Sequence, residues 1–427
     1  MNASKKQILA WAMYDWANSA FATTVMAGFF PLFFKEFWNK GIDPSVSTAR
    51  LGIANSIAGI VVALSAPLLG AIADRGLARK KFLSSFAVLG IAMTSLLYFI
   101  PNDSWLIAAI FYVLASIGFA GGNVFYDSLI TTVAPKDKLD SVSSLGFALG
   151  YMGGGLLLAL NVWAILKPEQ FGFENSIHAI RFSFVSVAVW WAVFSVPILL
   201  FVKEQKYAVK RSCIEMIKAG SLQLKETLRD TQRLKPIFFF LAAYWLYIDG
   251  VDTIVCMAID YGMSIGFKSV DLISALLITQ FVGFPSAIGF GYLSRAIGTA
   301  RSILLALAVY LFILCWGAIM QTKQEFYALA AMIGLVQGGI QALSRSYYAR
   351  IIPQDKSAEF FGFYNMIGKF AAVIGPSMMA VVVLVVRWLG AGGNTASRIS
   401  IASLSLFFIA GGILFYLADK ARVNAHE

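Results

Sequence analysis

Apolar stretches of about twenty residues or more recur along the whole of this 427-residue chain, and no other feature constrains its fold as strongly. The hydrocarbon core of a bilayer is ~30 Å thick, and a helix needs roughly twenty mostly apolar residues to cross it. Membrane strands alternate apolar and polar residues, and these stretches do not. Only 13% of the residues are charged, against about 25% in a soluble domain, so too little polar surface remains to face water. The reading is an all-α integral membrane protein with twelve spans at 8–34, 51–73, 82–100, 105–132, 141–166, 179–202, 236–259, 269–293, 301–321, 326–351, 359–387 and 396–418. Lys5 and Lys6 precede a first run too long for a signal peptide, which reads as a retained helix.

The net charge of +11 invites a nucleic-acid partner, but its distribution argues against one. With both termini in the cytoplasm, the segments on that side carry 23 Lys and Arg and the opposite side nine. That is the asymmetry that orients membrane proteins. Three cysteines in the inner loop or in spans imply no disulfide framework. His178 and His426 lie far apart in sequence, so no metal site and no cofactor are expected.

The one long loop, 203–235, divides the spans six and six, giving an expected N-terminal bundle at 1–202, a cytoplasmic linker at 203–235 and a C-terminal bundle at 236–427. The halves repeat each other. Trp11, Asp15 and Asn18 stand at i, i+4 and i+7, and Trp245, Asp249 and Asp252 keep that spacing in span seven, so each half aims a polar stripe from its first helix. Asp127 and Arg345 each stand eight residues before a proline, Pro135 and Pro353, and Gly150 and Gly368 each stand fifteen after it. Gly70 to Asp74 is matched by Gly291 to Arg295. Such a duplicated unit is common among secondary transporters.

An ionised side chain at mid-bilayer costs roughly 2.5–3.5 kcal/mol on insertion scales, so it usually faces a cavity or another charge. Asp15, Asp127, Asp249, Asp252, Arg345 and Lys369 fall inside spans. Asp249 and Asp252 on span seven and Lys369 on span eleven lie near mid-span, where acid and base together suit a zwitterion, and a carboxylate there suits proton coupling. On this reading Asp249→Asn impairs exchange. Asp15 and Asn18 extend the polar line, with Tyr14, Gln341 and Tyr364 as further lining residues. The register-matched Asp127 and Arg345 are expected to pair across the halves as a gate; the competing view ties each within its own half. Phosphate-loop and dinucleotide motifs fail on spacing and context, so coupling should come from an ion or solute gradient.

Several segments resemble the major facilitator superfamily. Gly70-Ala-Ile-Ala-Asp74-Arg75-Gly76-Leu-Ala-Arg79-Lys80-Lys81 looks like its loop between helices two and three, although the second glycine and the basic cluster fall one place off, and Arg295 replaces the acid in the second copy. The likeness implies a gating role for Asp74 and Arg75. More specific are Trp11-Ala-Met-Tyr14-Asp15-Trp16-Ala-Asn18-Ser19, Asn123-Val-Phe125-Tyr126-Asp127-Ser128, Gly146 to Gly154, Gln337-Gly338-Gly339-Ile-Gln341-Ala-Leu-Ser344-Arg345-Ser346, Phe360-Phe361-Gly362-Phe-Tyr364 and Gly375-Pro376. These resemble the vacuolar amino-acid effluxer-like family and its bacterial relatives over nearly the whole chain. The resemblance implies a monomeric secondary transporter of a small polar solute, amino acids first, working by alternating access. Its compact loops suggest a bacterial inner membrane. A drug or peptide porter, or a membrane sensor without flux, are the alternatives; an enzyme lacks a catalytic cluster.

Overall fold

The computed structural model describes residues 4–76, 78–204, 213–229, 235–264, 269–390 and 392–424. His426 and five of the thirteen charges of the 203–235 linker (Lys206, Lys210, Arg211, Asp230 and Arg233) lie outside them. Among the described residues there is no strand, and twelve helices are long and apolar enough to cross a membrane.

The first half comprises α1 (Lys5–Trp38), α2 (Pro44–Gly76), α3 (Arg79–Leu96), α4 (Trp105–Val133), α5 (Leu139–Leu166) and α6 (Ser176–Phe201). A shorter helix, α7 (Cys213–Arg229), occupies the linker. The second half comprises α8 (Lys235–Ser264), α9 (Ser269–Ile297), α10 (Thr299–Ile319), α11 (Lys323–Ile351) and α12 (Ser357–Trp388), with α13 (Gly393–Ser403) and α14 (Ser405–Asn424) forming the last span.

The chain forms two compact units. The first is Met1–Lys136 and Leu149–Leu224 with Pro353–Asn365; the second is Asp137–Ala148 and Lys225–Ile352 with Met366–Glu427. Each unit is therefore mostly one half of the chain plus the opening turns of the other half's fifth helix. The helices α5 and α12 both begin in one unit and continue in the other.

Aromatic packing dominates the first unit. Phe30 stacks on Tyr112 at 4.0 Å between ring centroids, and Phe21, Phe33, Trp38, Phe184 and Trp191 are buried around them. α1 is not a plain α-helix: Phe21–Phe29 and Phe34–Trp38 are π-helical. Thr23 sits at the start of the first π stretch and donates its hydroxyl to the Ser19 carbonyl at 3.0 Å. A side-chain donor that engages the backbone ladder is a recognised cause of such local rewinding.

Candidate functional site

In the first unit the stripe on α1 meets α4. The Trp11 indole lies 4.5 Å from the Tyr126 ring and donates to the Tyr126 carbonyl at 2.9 Å. The Tyr126 hydroxyl in turn donates to Asp15 at 2.9 Å, and Asn18 donates to the Asn123 side chain at 2.5 Å. Tyr14 lies fully buried at 5.1 Å from Tyr126. Gly150 of α5 leaves room for this stripe: a Cβ there would stand 2.7 Å from the Ser19 hydroxyl and 3.5 Å from the Asp15 carboxyl carbon. The residues of the stripe at 11, 15 and 18 thus each hydrogen-bond to α4, and Tyr126 and Asn123 are the partners that spacing alone did not single out.

The second unit arranges its stripe differently. Asp249 is 1% exposed and accepts from the backbone N–H of Gly375 at 2.9 Å and from Thr253 at 3.3 Å. Gly375 precedes Pro376 within α12, and that proline has no N–H to give to the helical ladder. Asp249 therefore braces the α12 backbone at its weak point. Asp252, one turn from Asp249, is half-buried on α8, and Lys369 is half-buried on α12 of the same unit. Gln341 is half-buried on α11, whereas Tyr364 is buried edge-on to Phe361 in the first unit.

The expected gating residues belong to a node built twice. In the first unit, Asp74 at the end of α2 accepts the backbone N–H groups of Ala358 and Glu359 at 3.1 and 2.9 Å, which are two of the free amides opening α12. A carboxylate in that position satisfies orphan donors and the positive end of the helix dipole together. Asp74 is also ion-paired at 2.7 Å with Arg79, whose guanidinium reaches the Gln354 carbonyl at 3.4 Å. Arg75, named beside Asp74 from the sequence, is exposed, so the cation at this carboxylate comes from four residues further on. The approach is close: a Cβ on Gly70 would run into the Ala358 carbonyl, and one on Gly362 would meet the Ala66 carbonyl oxygen at 2.6 Å.

The second unit repeats the node with other chemistry. Arg295, the register equivalent of Asp74, donates to Ser141 of α5 at 2.5 and 3.0 Å. Ser141 and Glu359 are themselves equivalent, both 218 residues apart in the register that relates Asp127 to Arg345. Arg345 is 2% exposed, donates to the Ser143 hydroxyl and carbonyl at 2.9 Å each, and lies 4.3 Å over the Phe147 ring. Its counterpart Asp127 accepts from Asn365 at 3.2 Å, and Asn365 is the register equivalent of Phe147. Beside Arg345, Asp140 gathers Thr299, Ser346 and Arg350 at 2.7, 2.5 and 3.1 Å. Asp140, Ser143, Asn365 and Glu359 were not legible beforehand, because each follows a proline-lysine loop in a segment read only as the start of a span.

Among solved structures, the human organic anion transporter MFSD10 (TETRAN) superimposes with a TM-score of 0.73 at 12% identity, covering 96% of this chain and 99% of that one. The major facilitator transporter FucP, in its outward conformation, gives 0.63 at 13% identity, covering 97% and 98%. These likenesses, at 12–13% identity, show a shared fold; the class, a major facilitator superfamily transporter rather than an enzyme, rests on a family model and a bacterial relative. A family model described as "Vacuole effluxer Atg22 like" matches residues 45–426, and the chain belongs to that family. It is 36% identical to the MFS-type transporter YxiO of Bacillus subtilis (strain 168), over all of this chain and 98% of that one. It is 22% identical to autophagy-related protein 22 of Coccidioides immitis, over 89% of this chain and 82% of that one.

Proposed function

We propose that this transporter moves a small zwitterionic solute, amino acids first, across a bacterial inner membrane as a monomer with both termini in the cytoplasm. The observation that carries the reading is that an acid, Asp252, and a base, Lys369, both half-buried, stand on spanning helices α8 and α12 of the same unit. Two opposite charges in lipid are costly to desolvate, and a solute bearing both an ammonium and a carboxylate can exchange for their mutual attraction. Asp15, with Tyr126 and the Asn18–Asn123 pair, supplies a second polar line in the other unit. The family's description as an effluxer and the kinship with YxiO support solute movement rather than sensing. Asp252 or Asp15 taking up a proton as solute leaves is the coupling this reading favours, with Asp127, Arg345, Asp74 and its neighbours timing access by alternating opening.

Counterflow in liposomes tests it. Protein loaded with unlabelled amino acids should accumulate labelled ones, and Lys369→Met and Asp252→Asn should each reduce the rate by about ten-fold or more, the loss expected for one charged hydrogen bond. Binding of solute with no counterflow by the parent protein would overturn the reading in favour of a sensor.

A further inference from the structure

The transport reading makes no use of the linker helix, yet α7 is fitted closely to the first unit. Gly220 faces the backbone of α2 so closely that a Cβ would stand 2.8 Å from the Ile72 amide nitrogen and 2.9 Å from its Cα. One turn earlier, the Met216 sulfur fills the space beside Gly76, where a Cβ would meet it at 2.7 Å. One turn later, Gln223, 2% exposed, donates its side-chain amide to Oε2 of Glu359. Positions 216, 220, 223 and 227 recur at i, i+4, i+7 and i+11, so a single face of the helix makes this fit, and Thr227 on it is 1% exposed.

Glu359 is the informative partner. It lies in the first turn of α12, is fully buried, and its backbone N–H is one of the two held by Asp74. Its Oε1 atom has no hydrogen-bond partner among the described residues. Gln223 is thus the donor that accounts for a carboxylate otherwise left bare in the interior, a position where losing a single donor is expensive. The same few residues of α12 are held by α2 on one side, through Asp74 and the close approach at Gly70, and by α7 on the other.

We propose that α7 is a strap that holds the opening turns of α12 against α2, fastened by the Gln223–Glu359 hydrogen bond, so that the linker sets how often this end of the first unit opens. The proposal rests on the alternating-access reading for its purpose, since any opening here must release both contacts. Gln223 and Glu359 are positioning residues on this account and touch no solute.

The test reads opening without needing a solute. Ser128 is fully buried, and its carbonyl accepts from the Ser357 hydroxyl of α12 at 3.3 Å. Ser128→Cys leaves that carbonyl in place, and in a full-length protein with Cys213, Cys256 and Cys315 replaced by serine its thiol reports when α12 lifts away. In proteoliposomes, Gln223→Ala should raise the rate of labelling by a small maleimide about ten-fold, as should Glu359→Ala. The double variant should label no faster than either single one, because both remove the same bond. Glu359→Gln, whose amide oxygen still accepts from Gln223, should stay near the parent rate. Gly220→Leu, which drives α7 off α2 by bulk alone, should label fast with Gln223 and Glu359 intact. An unchanged rate in Gln223→Ala, or additive effects of the two alanines, overturns the strap. Labelling as described in a protein that shows no amino-acid counterflow would instead retain the strap and discard the amino-acid reading.

Discussion

At the scale of single residues, Asp249 shows how one spacing can serve two kinds of chemistry. It shares its register with Asp15, yet Asp15 takes a phenol from α4 while Asp249 takes a backbone amide from α12. Gly375 has no room for a side chain: a Cβ would collide with the Thr253 hydroxyl and stand 2.7 Å from the Asp249 carboxylate. That intimacy argues for a brace, since a carboxylate 1% exposed and already occupied by an amide has little left to offer a solute. The expected outcome is therefore a split between two substitutions. Asp249→Asn keeps an oxygen for the Gly375 amide and should retain most counterflow, whereas Asp249→Ala should lose about ten-fold, the value of roughly one hydrogen bond and a bare amide. If the asparagine variant falls as far as the alanine variant, the negative charge itself acts on solute or proton, as the sequence alone suggested. Spacing could place the acid on a face, but not reveal what that face meets. A glycine amide has no signature in sequence beyond the proline that follows it.

At the scale of elements, the start of α12 is where most of the unanticipated chemistry collects. Its free amides fall to Asp74, its first-turn acid falls to Gln223, and its glycine at 362 lies on α2. Removing one member of the buried Asp74–Arg79 pair leaves the other charge stranded, which typically costs about 3–5 kcal/mol. Asp74→Ala and Arg79→Ala should each lower the thermal unfolding midpoint of the detergent-solubilised protein, and the double substitution should cost clearly less than their sum. Additive losses would mean that Asp74 acts on the α12 amides alone and that Arg79 is incidental to it. The spans themselves were readable because length and hydropathy suffice to define a membrane helix. α7 was not, and the reason is physical: its buried positions Gly220, Gln223 and Thr227 are small or polar, and the apolar Met216 on the same face is only half-buried. The π-helical windings of α1 were equally hidden, since a threonine hydroxyl that engages the backbone ladder, as Thr23 does, leaves no distinctive pattern in sequence.

At the scale of the whole molecule, duplication is the property that ties sequence to mechanism. The register relating Asp127 to Arg345 also relates Asn365 to Phe147 and Glu359 to Ser141, so each half presents the same positions to the opening turns of a fifth helix. Opposite charges at one repeated position are hard to explain by packing, because a helix that only needed to fit would keep similar residues in both copies. As the proposed gate, this matched acid and base attract when the transporter is shut and part when solute or proton shifts the balance. Asp127→Arg and Arg345→Asp alone should each abolish counterflow, since each places two like charges at the repeated position. Combined, they should restore a measurable fraction of it. Restoration need not be complete, because the exchanged arginine would meet Asn365 and the exchanged aspartate would meet Ser143 and the face of Phe147, partners suited to the opposite charge. If the combined variant is as inactive as either single one while remaining folded, then each charge serves only the helix start in its own unit. The gate must then be sought in Asp74, Glu359 and the strap rather than in the repeated pair.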